Sequence, residues 1–297
     1  MKFELLLDYG VELAETPIWD PRIGKWYWND LFKGTVYRFT PETGKSEEWE
    51  TGGMIGSAVP CKDPEKLLVV LENGAHLLDL ATGELSFIVD PDKGIEHNRY
   101  NDSRVDAAGR LFMSSVHKAY GTDKYSPDML GNFYMVEADR KTVRVVVEGI
   151  QQYNAIVWNR ENTKMFVVDT YNQTLLCFPY DLAKGPTGIP EVVLDFTPKG
   201  TSHGMPDGMS IDTQDNLYIC HWTGKITVWD SKISLVREVQ FPVEYVCCGG
   251  FGGKDMQDYV VATSKYCYTD EQLAKNKGAG GLFTTRNEIP GRPDYFY

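Results

Sequence analysis

Long hydrophobic runs are missing from this 297-residue chain, and so is any sustained helical periodicity. No apolar run approaches the roughly 20 residues that a membrane-spanning helix requires. The three-leucine run near the start, Leu5 to Leu7, is shorter than the apolar core of a signal peptide. We therefore expect no membrane partner and a cytoplasmic location.

Positive charge is also scarce, with 30 Lys and Arg against 42 Asp and Glu and a formal net charge of -12. A surface of this sign repels phosphate backbones and anionic lipid headgroups, so neither nucleic acid nor a membrane surface is an expected partner. The six cysteines lie in or beside apolar segments without a metal-binding spacing. They are interpreted as reduced core thiols, which suits a cytoplasmic protein.

What the chain does contain is one repeated phrase, whose copies begin near residues 15, 57, 101, 154, 206 and 248. In each copy an apolar segment leads into a polar turn and then into an alternating strand, a pattern that predicts a β-hairpin. Most copies are followed by a glycine and a second alternating segment, and some by a further strand, such as residues 84–89. About four strands in each of six units predict an all-β protein, a six-bladed β-propeller with four antiparallel strands per blade.

The repeats also bear on domain organisation. No unit can bury both of its faces alone, so residues 1–297 are expected to form a single propeller domain. One short helix is expected between Thr269 and Lys275, and no linker or low-complexity segment interrupts the chain. We expect a monomer or a weak homo-oligomer.

Polar side chains recur at the same position of each repeat, about five residues before the first turn residue of the hairpin. We call this position the repeat phase. The strong copies place there Glu15, Asn101, Asn154 and Asp207, and the weaker copies place there Ser57 and Cys248. Asn and Asp at strand ends often only cap turns. The innermost strands of a propeller converge on a central channel, however, so four such side chains at one phase should face one another.

Three of these side chains, Glu15, Asn154 and Asp207, would supply oxygen ligands, two of them anionic. This donor set predicts a site for one divalent cation, with positions left open for water and substrate. The expected ion is Ca²⁺, and Mg²⁺, Mn²⁺, Zn²⁺ and Fe²⁺ are alternatives that also accept such sites.

The motifs together resemble those of the regucalcin (senescence marker protein)/gluconolactonase family of six-bladed propellers, over nearly the whole chain. The segments that carry the resemblance are ETPIWD (15–20), RYND (99–102), NAIVW (154–158), PDGM (206–209), FGG (251–253) and AGGLF (279–283). The resemblance implies a metal held by Glu15, Asn154 and Asp207, which the repeat phase also selects. It further implies substrate contacts from Arg99 and Asn101.

Departures from the family pattern bear on the pocket and its substrate. Ala14 and Thr16 flank Glu15, and Ala155 follows Asn154, at positions where the family usually has glycine. Their extra bulk is expected to narrow the pocket.

The histidines are the remaining candidates. The loop of residues 114–120 often supplies an acidic substrate contact in relatives, and here it carries His117, which becomes a candidate substrate contact. His203 and His221 are candidates for the pocket mouth or for a second base.

The resemblance implies hydrolysis of a sugar lactone to its aldonic acid, with the ring carbonyl polarised and water activated by the cation. Asp207 is the expected general base, and Arg99 and Asn101 would bind substrate hydroxyls or the ring oxygen. Two alternatives remain open. One is a phosphotriesterase-like hydrolase, which would need a more apolar pocket, and the other is a non-catalytic propeller that binds calcium or another ligand.

Overall fold

The computed structural model describes all residues, 1–297, as 25 strands and one short α-helix. The strands form six antiparallel sheets. Each innermost strand contacts the innermost strands of the two neighbouring sheets, and the sixth contacts the first. The predicted six-bladed β-propeller is thereby confirmed.

The strands follow the chain in order. Strand β1 is Glu4–Leu7. Blade 1 contains β2 (Ala14–Asp20), β3 (Lys25–Asp30), β4 (Thr35–Thr40) and β5 (Lys45–Glu50). Blade 2 contains β6 (Ile55–Pro60), β7 (Lys66–Leu71), β8 (Gly74–Asp79) and β9 (Leu85–Val89). Blade 3 contains β10 (Asn98–Val105), β11 (Leu111–His117), β12 (Gly131–Val136) and β13 (Val143–Ile150).

Blade 4 contains β14 (Tyr153–Trp158), β15 (Lys164–Asp169), β16 (Thr174–Asp181), the two-residue β17 (Gly185–Pro186) and β18 (Glu191–Asp195). Both β17 and β18 pair with β16. Blade 5 contains β19 (Pro206–Ile211), β20 (Leu217–His221), β21 (Lys225–Trp229) and β22 (Leu235–Gln240). Blade 6 contains three strands from the C-terminal part of the chain, β23 (Val246–Gly252), β24 (Asp258–Thr263) and β25 (Leu282–Arg286).

Both ends of the sequence close the ring, because β1 pairs with β25 as the outermost strand of blade 6. The repeat phrase gave no sign of this strand, since β1 lies outside every copy. Phe3, beside it, is buried in the core shared by blades 5 and 6, with its ring 4.6 Å from that of Phe241.

The repeated turn residue fixes the inner hairpins. The Oδ1 atom of Asp106 accepts hydrogen bonds from the backbone N–H groups of Ala108 and Arg110, both at 2.9 Å. Asp212 accepts bonds from the residues two and four positions further on. Such side-chain bonds stabilise tight turns, which is why Asp or Asn recurs there.

The predicted helix is also present, as α1 (Asp270–Lys275) between β24 and β25. Thr269 caps its N-terminus and forms a reciprocal capping box with Gln272. No helix in the structure has the length and apolar character that crossing a membrane would require.

The C-terminal segment, residues 291–297, covers the end of the channel where the inner strands finish. Its backbone and side chains bond to the last residues of three inner strands: Arg292 Nη1 to Trp158 O at 2.8 Å, Arg292 N to Ile211 O at 3.2 Å, and Tyr297 N to Pro60 O at 3.0 Å. Only a cavity of about 50 Å³ remains there. Access to the channel is therefore from the opposite end, where the inner strands begin.

We propose that residues 1–297 unfold as one unit, because the ring closes through contacts between the two chain ends. The change Phe3→Leu is expected to lower the free energy of unfolding by about 1–2 kcal/mol. It should shift a single transition, measured by both tryptophan fluorescence and far-ultraviolet circular dichroism in guanidinium. Two transitions, with only one shifted, would contradict a single domain.

Candidate functional site

A cavity of about 480 Å³ opens at the end of the channel where the inner strands begin. Its deep part is polar and draws on blades 1, 3, 4 and 5 through Glu15, Arg99, Asn101, Asn154 and Asp207. The outer wall is largely apolar and aromatic, with Phe32, Met54, Trp222, Tyr245 and Tyr266. The structure thus brings five of the six predicted site residues together.

A β-bulge marks the cavity end of every inner strand. In blade 1 the pairing register shifts between Glu15 and Ile18, and in blade 5 between Pro206 and Met209. The other four inner strands have the same irregularity. A bulge interrupts the ladder and redirects a side chain, which here turns the polar residues toward the channel.

The pairing corrects the predicted phase in the two weaker repeats. The hairpin of blade 6 closes at the pair Gly252–Asp258, as that of blade 1 closes at Asp20–Lys25, so the residue five positions earlier, Cys247, occupies the phase rather than Cys248. In blade 2 the N–H of Cys61 donates to the backbone oxygen of Lys66, as that of Asp212 donates to Asn216, so Cys61 begins the turn and Gly56 occupies the phase rather than Ser57. The sequence count was one residue off in both copies, because their first turn residues, Cys61 and Gly252, are not the Asp or Asn that marks the turn in the other four.

The two carboxylates of the cavity lie close together. A carboxylate oxygen of Glu15, one of Asp207 and the Sγ of Cys247 are all within 4.8 Å of one another. Burial raises the pKa of Glu15 to about 7. Burial and the nearby charge of Glu15 also raise the pKa of Asp207 well above its ordinary value. Two carboxylates held this close together in a largely buried site favour either protonation or a bound cation, so this donor set fits a divalent ion.

The orientation of the Asn154 amide follows from its neighbour Thr170. The Thr170 hydroxyl donates to the backbone oxygen of Pro206 at 2.8 Å, so it must accept from Asn154 Nδ2, which lies 2.6 Å away. The amide is therefore oriented with its Oδ1 atom away from Thr170, and this oxygen accepts a hydrogen bond from Asn101 Nδ2. An amide oxygen has two lone pairs, so Asn154 retains one for a cation.

Arg99 and Asn101 form the next part of the cavity. Arg99 Nη1 donates to Asn101 Oδ1 at 3.0 Å and to the backbone oxygen of Tyr100 at 3.1 Å. Burial lowers the pKa of Arg99 to about 10, which leaves it cationic at neutral pH. The other guanidinium nitrogen atoms have no protein partner and remain available to a bound molecule.

Two further contacts orient the carboxylates; the count along the repeats had selected Cys248 but not Trp222. Trp222 Nε1 donates to Asp207 Oδ2 at 2.6 Å, and Cys248 Sγ donates to Glu15 Oε2 at 3.0 Å. Each contact occupies one carboxylate oxygen and leaves the other oxygen free of that partner. The twin cysteines 247–248 were the available sequence signal, but their register was readable only from the strand pairing.

His117 is the predicted site residue that the structure does not bring to the cavity. Its Nδ1 accepts from the backbone N–H of Ala119 at 3.0 Å, and its ring lies 5.0 Å from that of His97. The same loop instead lines the cavity with Lys118, Tyr120, Gly121 and Thr122. The hairpin turn at the end of β11 directs His117 outward.

His203 and His221 also lie outside the cavity. His221 is fully buried, with Nε2 2.9 Å from the Thr227 hydroxyl and Nδ1 3.2 Å from the backbone oxygen of Gly204. Burial lowers its pKa to about 3, so it is neutral. His203 Nε2 lies 3.0 Å from Glu238 Oε2. Both histidines are therefore packing residues of blade 5.

Residues 13–265 match the family model described as the SMP-30/gluconolactonase/LRE-like region. The chain belongs to this family. It is 26% identical over 285 residues to the 6-deoxy-6-sulfogluconolactonase of Pseudomonas putida, covering 94% of this chain and 92% of that protein. It is also 26% identical over 298 residues to a pentonolactonase of Haloferax volcanii, covering 98% of this chain and 96% of that protein.

Solved structures of the same fold are also similar. The crystal structure of regucalcin from Agrobacterium tumefaciens, described as a calcium-binding protein, superposes with a TM-score of 0.90 at 24% identity. The match covers 99% of this chain and 96% of that one. At this identity the likeness concerns the fold, and it agrees with the membership in the SMP-30/gluconolactonase/LRE-like family.

The departures from the family's glycine pattern do not narrow the cavity as expected. Thr16 has a φ of 47°, a region that favours glycine, and its hydroxyl donates to Asn29 Oδ1 while its N–H donates to Cys248 Sγ at 3.0 Å. These bonds offset the backbone strain. Ala14, Thr16 and Ala155 are fully buried in the strand packing, and none of them lines the cavity.

Proposed function

We propose that this protein is a metal-dependent lactonase that opens a sugar lactone to the aldonic acid. The observation that carries the proposal is the pair of adjacent carboxylates, the half-buried Glu15 and the buried Asp207, beside the Asn154 amide at the bottom of an accessible cavity. The lactonase names of relatives at 26% identity, covering nearly the whole chain, support it. So does membership in the SMP-30/gluconolactonase/LRE-like family.

In this proposal Glu15, Asn154 and Asp207 hold one divalent cation. When bound, the ion supplies Lewis-acid polarisation of the lactone carbonyl and charge stabilisation of the oxyanion. The three side chains start from positions that other residues fix, namely Cys248 for Glu15, Thr170 for Asn154 and Trp222 for Asp207. Such partners of ligands restrict rotation and tune ligand basicity.

Asp207 takes the proton of the attacking water. Its Oδ2 is held by Trp222, so Oδ1 is the oxygen that is free to act as the base. Burial and the charge of Glu15 raise its pKa, which increases its affinity for a proton, whereas a bound cation acts in the opposite direction. The water oxygen bonds to the carbonyl carbon, the ring ester bond breaks, and Asp207 returns the proton to the ring oxygen, which becomes a hydroxyl group of the aldonic acid.

Arg99 and Asn101 are the proposed substrate-binding residues. Arg99 presents unpartnered guanidinium N–H groups, and its bond to Asn101 holds both side chains in place. Donors of this kind match the hydroxyl and ring oxygens of a polyol. Lys118 and Tyr120 belong to the same loop as His117 and line the cavity, so they replace His117 as the proposed substrate contacts of this loop.

Removing the Thr170 hydroxyl tests how the Asn154 ligand is oriented. The change Thr170→Val is expected to weaken cation binding about 10-fold, because a lost partner of a ligand typically costs 10–100-fold in affinity. Isothermal titration calorimetry on chelator-treated protein measures the effect. Thr187→Val, an exposed change in the same blade, is the control and should bind normally, and equal affinities in both variants would contradict the role of Thr170.

The proposal is tested with a panel of γ- and δ-aldonolactones in a pH-indicator assay, because the aldonic acid releases a proton at neutral pH. Chelator-treated protein receives Ca²⁺, Mg²⁺, Mn²⁺, Zn²⁺ or, without oxygen, Fe²⁺. Turnover of one sugar series that returns with a cation is the expected result. Bound metal without turnover of any lactone would exclude the lactonase function.

A second candidate, a phosphotriesterase-like hydrolase, is favoured by the apolar outer wall of Phe32, Met54 and Tyr266. Phosphotriesters carry apolar arms that such a wall would accept, whereas Arg99 and Asn101 suit a polyol. An aryl dialkyl phosphate in the same assay separates the two. If neither substrate class turns over while the cation binds, a non-catalytic binding propeller is the remaining function.

A further inference from the structure

One group beside the two carboxylates plays no part in the proposed lactonase mechanism, namely the thiol of Cys247. The bulge of β23 places it at the same phase as Glu15, Asn101, Asn154 and Asp207. Around the ring, blade 6 lies between blades 5 and 1, so Cys247 stands between Asp207 and Glu15. Its Sγ is within 4.8 Å of a carboxylate oxygen of each.

Cys247 and Cys248 both belong to the hydrophobic core beside blade 1, but the two thiols differ in their hydrogen bonds. Cys248 Sγ donates to Glu15 and accepts from the N–H of Thr16, so both of its bonding capacities are used. Cys247 is fully buried and its Sγ has no hydrogen-bond partner, although two carboxylates lie beside it. An apolar side chain would fill the same volume without placing a potential metal ligand there.

We propose that Cys247 is a fourth protein ligand of the cation and makes the site selective for thiolate-accepting metals such as Zn²⁺ over Ca²⁺. This inference rests on the cation site of the proposed function. The sequence-based expectation of Ca²⁺ assumed a donor set of oxygen atoms alone, because the six cysteines show no metal-binding spacing along the chain. The bulge, not the spacing, brings this one to the site.

The geometry and the chemistry agree with such a ligand. Zinc binds thiolate sulfur at about 2.3 Å and carboxylate oxygen at about 2.0–2.2 Å, and its neighbouring ligand atoms lie about 3.5 Å apart. Zinc with four protein ligands can expand to five-coordinate, which leaves a position for the substrate carbonyl. A contraction of roughly 1 Å, within the reach of side-chain rotation, brings the three atoms to that spacing. As the metal–sulfur bond forms, the thiol proton passes to solvent. Calcium gains nothing from the sulfur, because it takes oxygen ligands.

Cobalt(II) provides a test that does not depend on activity. Chelator-treated wild-type protein is titrated with Co²⁺, and a sulfur-to-cobalt charge-transfer band in the near ultraviolet is expected. Cys247→Ser should bind Co²⁺ without the band, and Cys248→Ser, the matched control at the neighbouring buried thiol, should keep it. X-ray absorption of the Zn²⁺-loaded protein should show one sulfur at about 2.3 Å.

Calorimetry measures the selectivity of the same proteins. In Cys247→Ser the affinity for Zn²⁺ should fall by at least about 100-fold, since a lost ligand costs at least as much as a lost partner of a ligand. The affinity for Ca²⁺ should change little. Circular dichroism verifies that both serine variants are folded, and sulfur X-ray absorption of the wild type tests the proposal even if one variant is not.

Several outcomes would overturn the inference: bound Co²⁺ without the band, a band that survives in Cys247→Ser, zinc surrounded by oxygen and nitrogen alone, or binding of Ca²⁺ but not of Zn²⁺ or Co²⁺. The lactone assay is read separately. Turnover with no sulfur ligation rejects only the role of Cys247, whereas sulfur ligation with no turnover rejects only the lactonase function.

Discussion

Lactone hydrolysis should fall by at least about 10³-fold in kcat/KM when Asp207 is replaced by asparagine. General base catalysis is typically worth 10²–10⁴-fold, and the same change removes one of the two anionic groups proposed to hold the cation. Asparagine keeps the size of the side chain and can still accept from Trp222, so the expected loss comes from charge and basicity rather than from packing. The measurement is initial rate on the best lactone at saturating cation.

Two comparisons make the Asp207 result interpretable. Cation affinity is measured calorimetrically in the same variant, so that lost binding and lost catalysis are separated. Asp8→Asn, an exposed change remote from the cavity, serves as the control and should retain full activity. An Asp207→Asn enzyme that binds the cation and hydrolyses the lactone at the wild-type rate would remove Asp207 from the mechanism.

The metal-free protein should lose stability as pH rises from 5 to 8. Burial raises the pKa of Glu15 from its ordinary 4.5 to about 7, so the folded state holds this proton more tightly than the unfolded state does. Stability from this group is fully present below the unfolded-state pKa and is lost as pH rises through the folded-state pKa. The raised pKa of Asp207 acts in the same direction.

The full pKa difference of Glu15 corresponds to about 3 kcal/mol of unfolding free energy. Because this side chain is partly exposed to solvent, we expect a pH-dependent change in stability on the order of 2 kcal/mol from Glu15. Guanidinium unfolding of chelator-treated protein at several pH values measures it. Glu15→Gln should flatten this part of the profile, and Glu84→Gln, an exposed control, should not. Saturating divalent cation should reverse the trend, because protons then compete with the metal. A metal-free profile that is flat or rises between pH 5 and 8 would contradict the burial of these charges.

The sequence was informative about the site because a propeller repeats one hairpin around an axis. Glu15, Asn101, Asn154 and Asp207 share a phase in four clear copies, and the structure brings all four to one cavity. Asp106 and Asp212 fix the turns from which that phase is counted. The shared position in the repeat therefore predicted that these four side chains lie close together, although they are far apart in the sequence.

The site residues that were placed wrongly or not predicted depend on features that the repeat pattern does not record. Cys247 and Gly56 were missed by one position because Cys61 and Gly252 stand at the turn where the other four blades have Asp or Asn, so the sequence did not mark where the turn begins. His117 was placed in the site because its loop was known but not its direction, which the contact with Ala119 sets. Thr170 and Trp222 lie on neighbouring strands or loops and bond to Asn154 and Asp207. The repeated sequence pattern does not identify such partners.

By itself the sequence determined the class of fold, the number of blades and the oxygen donors at the channel mouth, because these depend on local pairing and on a repeat that every blade shares. The tertiary structure alone decided how the ring closes through β1, which end of the channel the C-terminal segment covers, and which cysteine faces the two carboxylates. Those features depend on contacts between residues far apart in the sequence, such as Arg292 and Trp158, 134 positions apart, and Cys248 and Glu15, 233 positions apart. Such contacts are fixed only when the ring has closed and each bulge has set the register of its own strand.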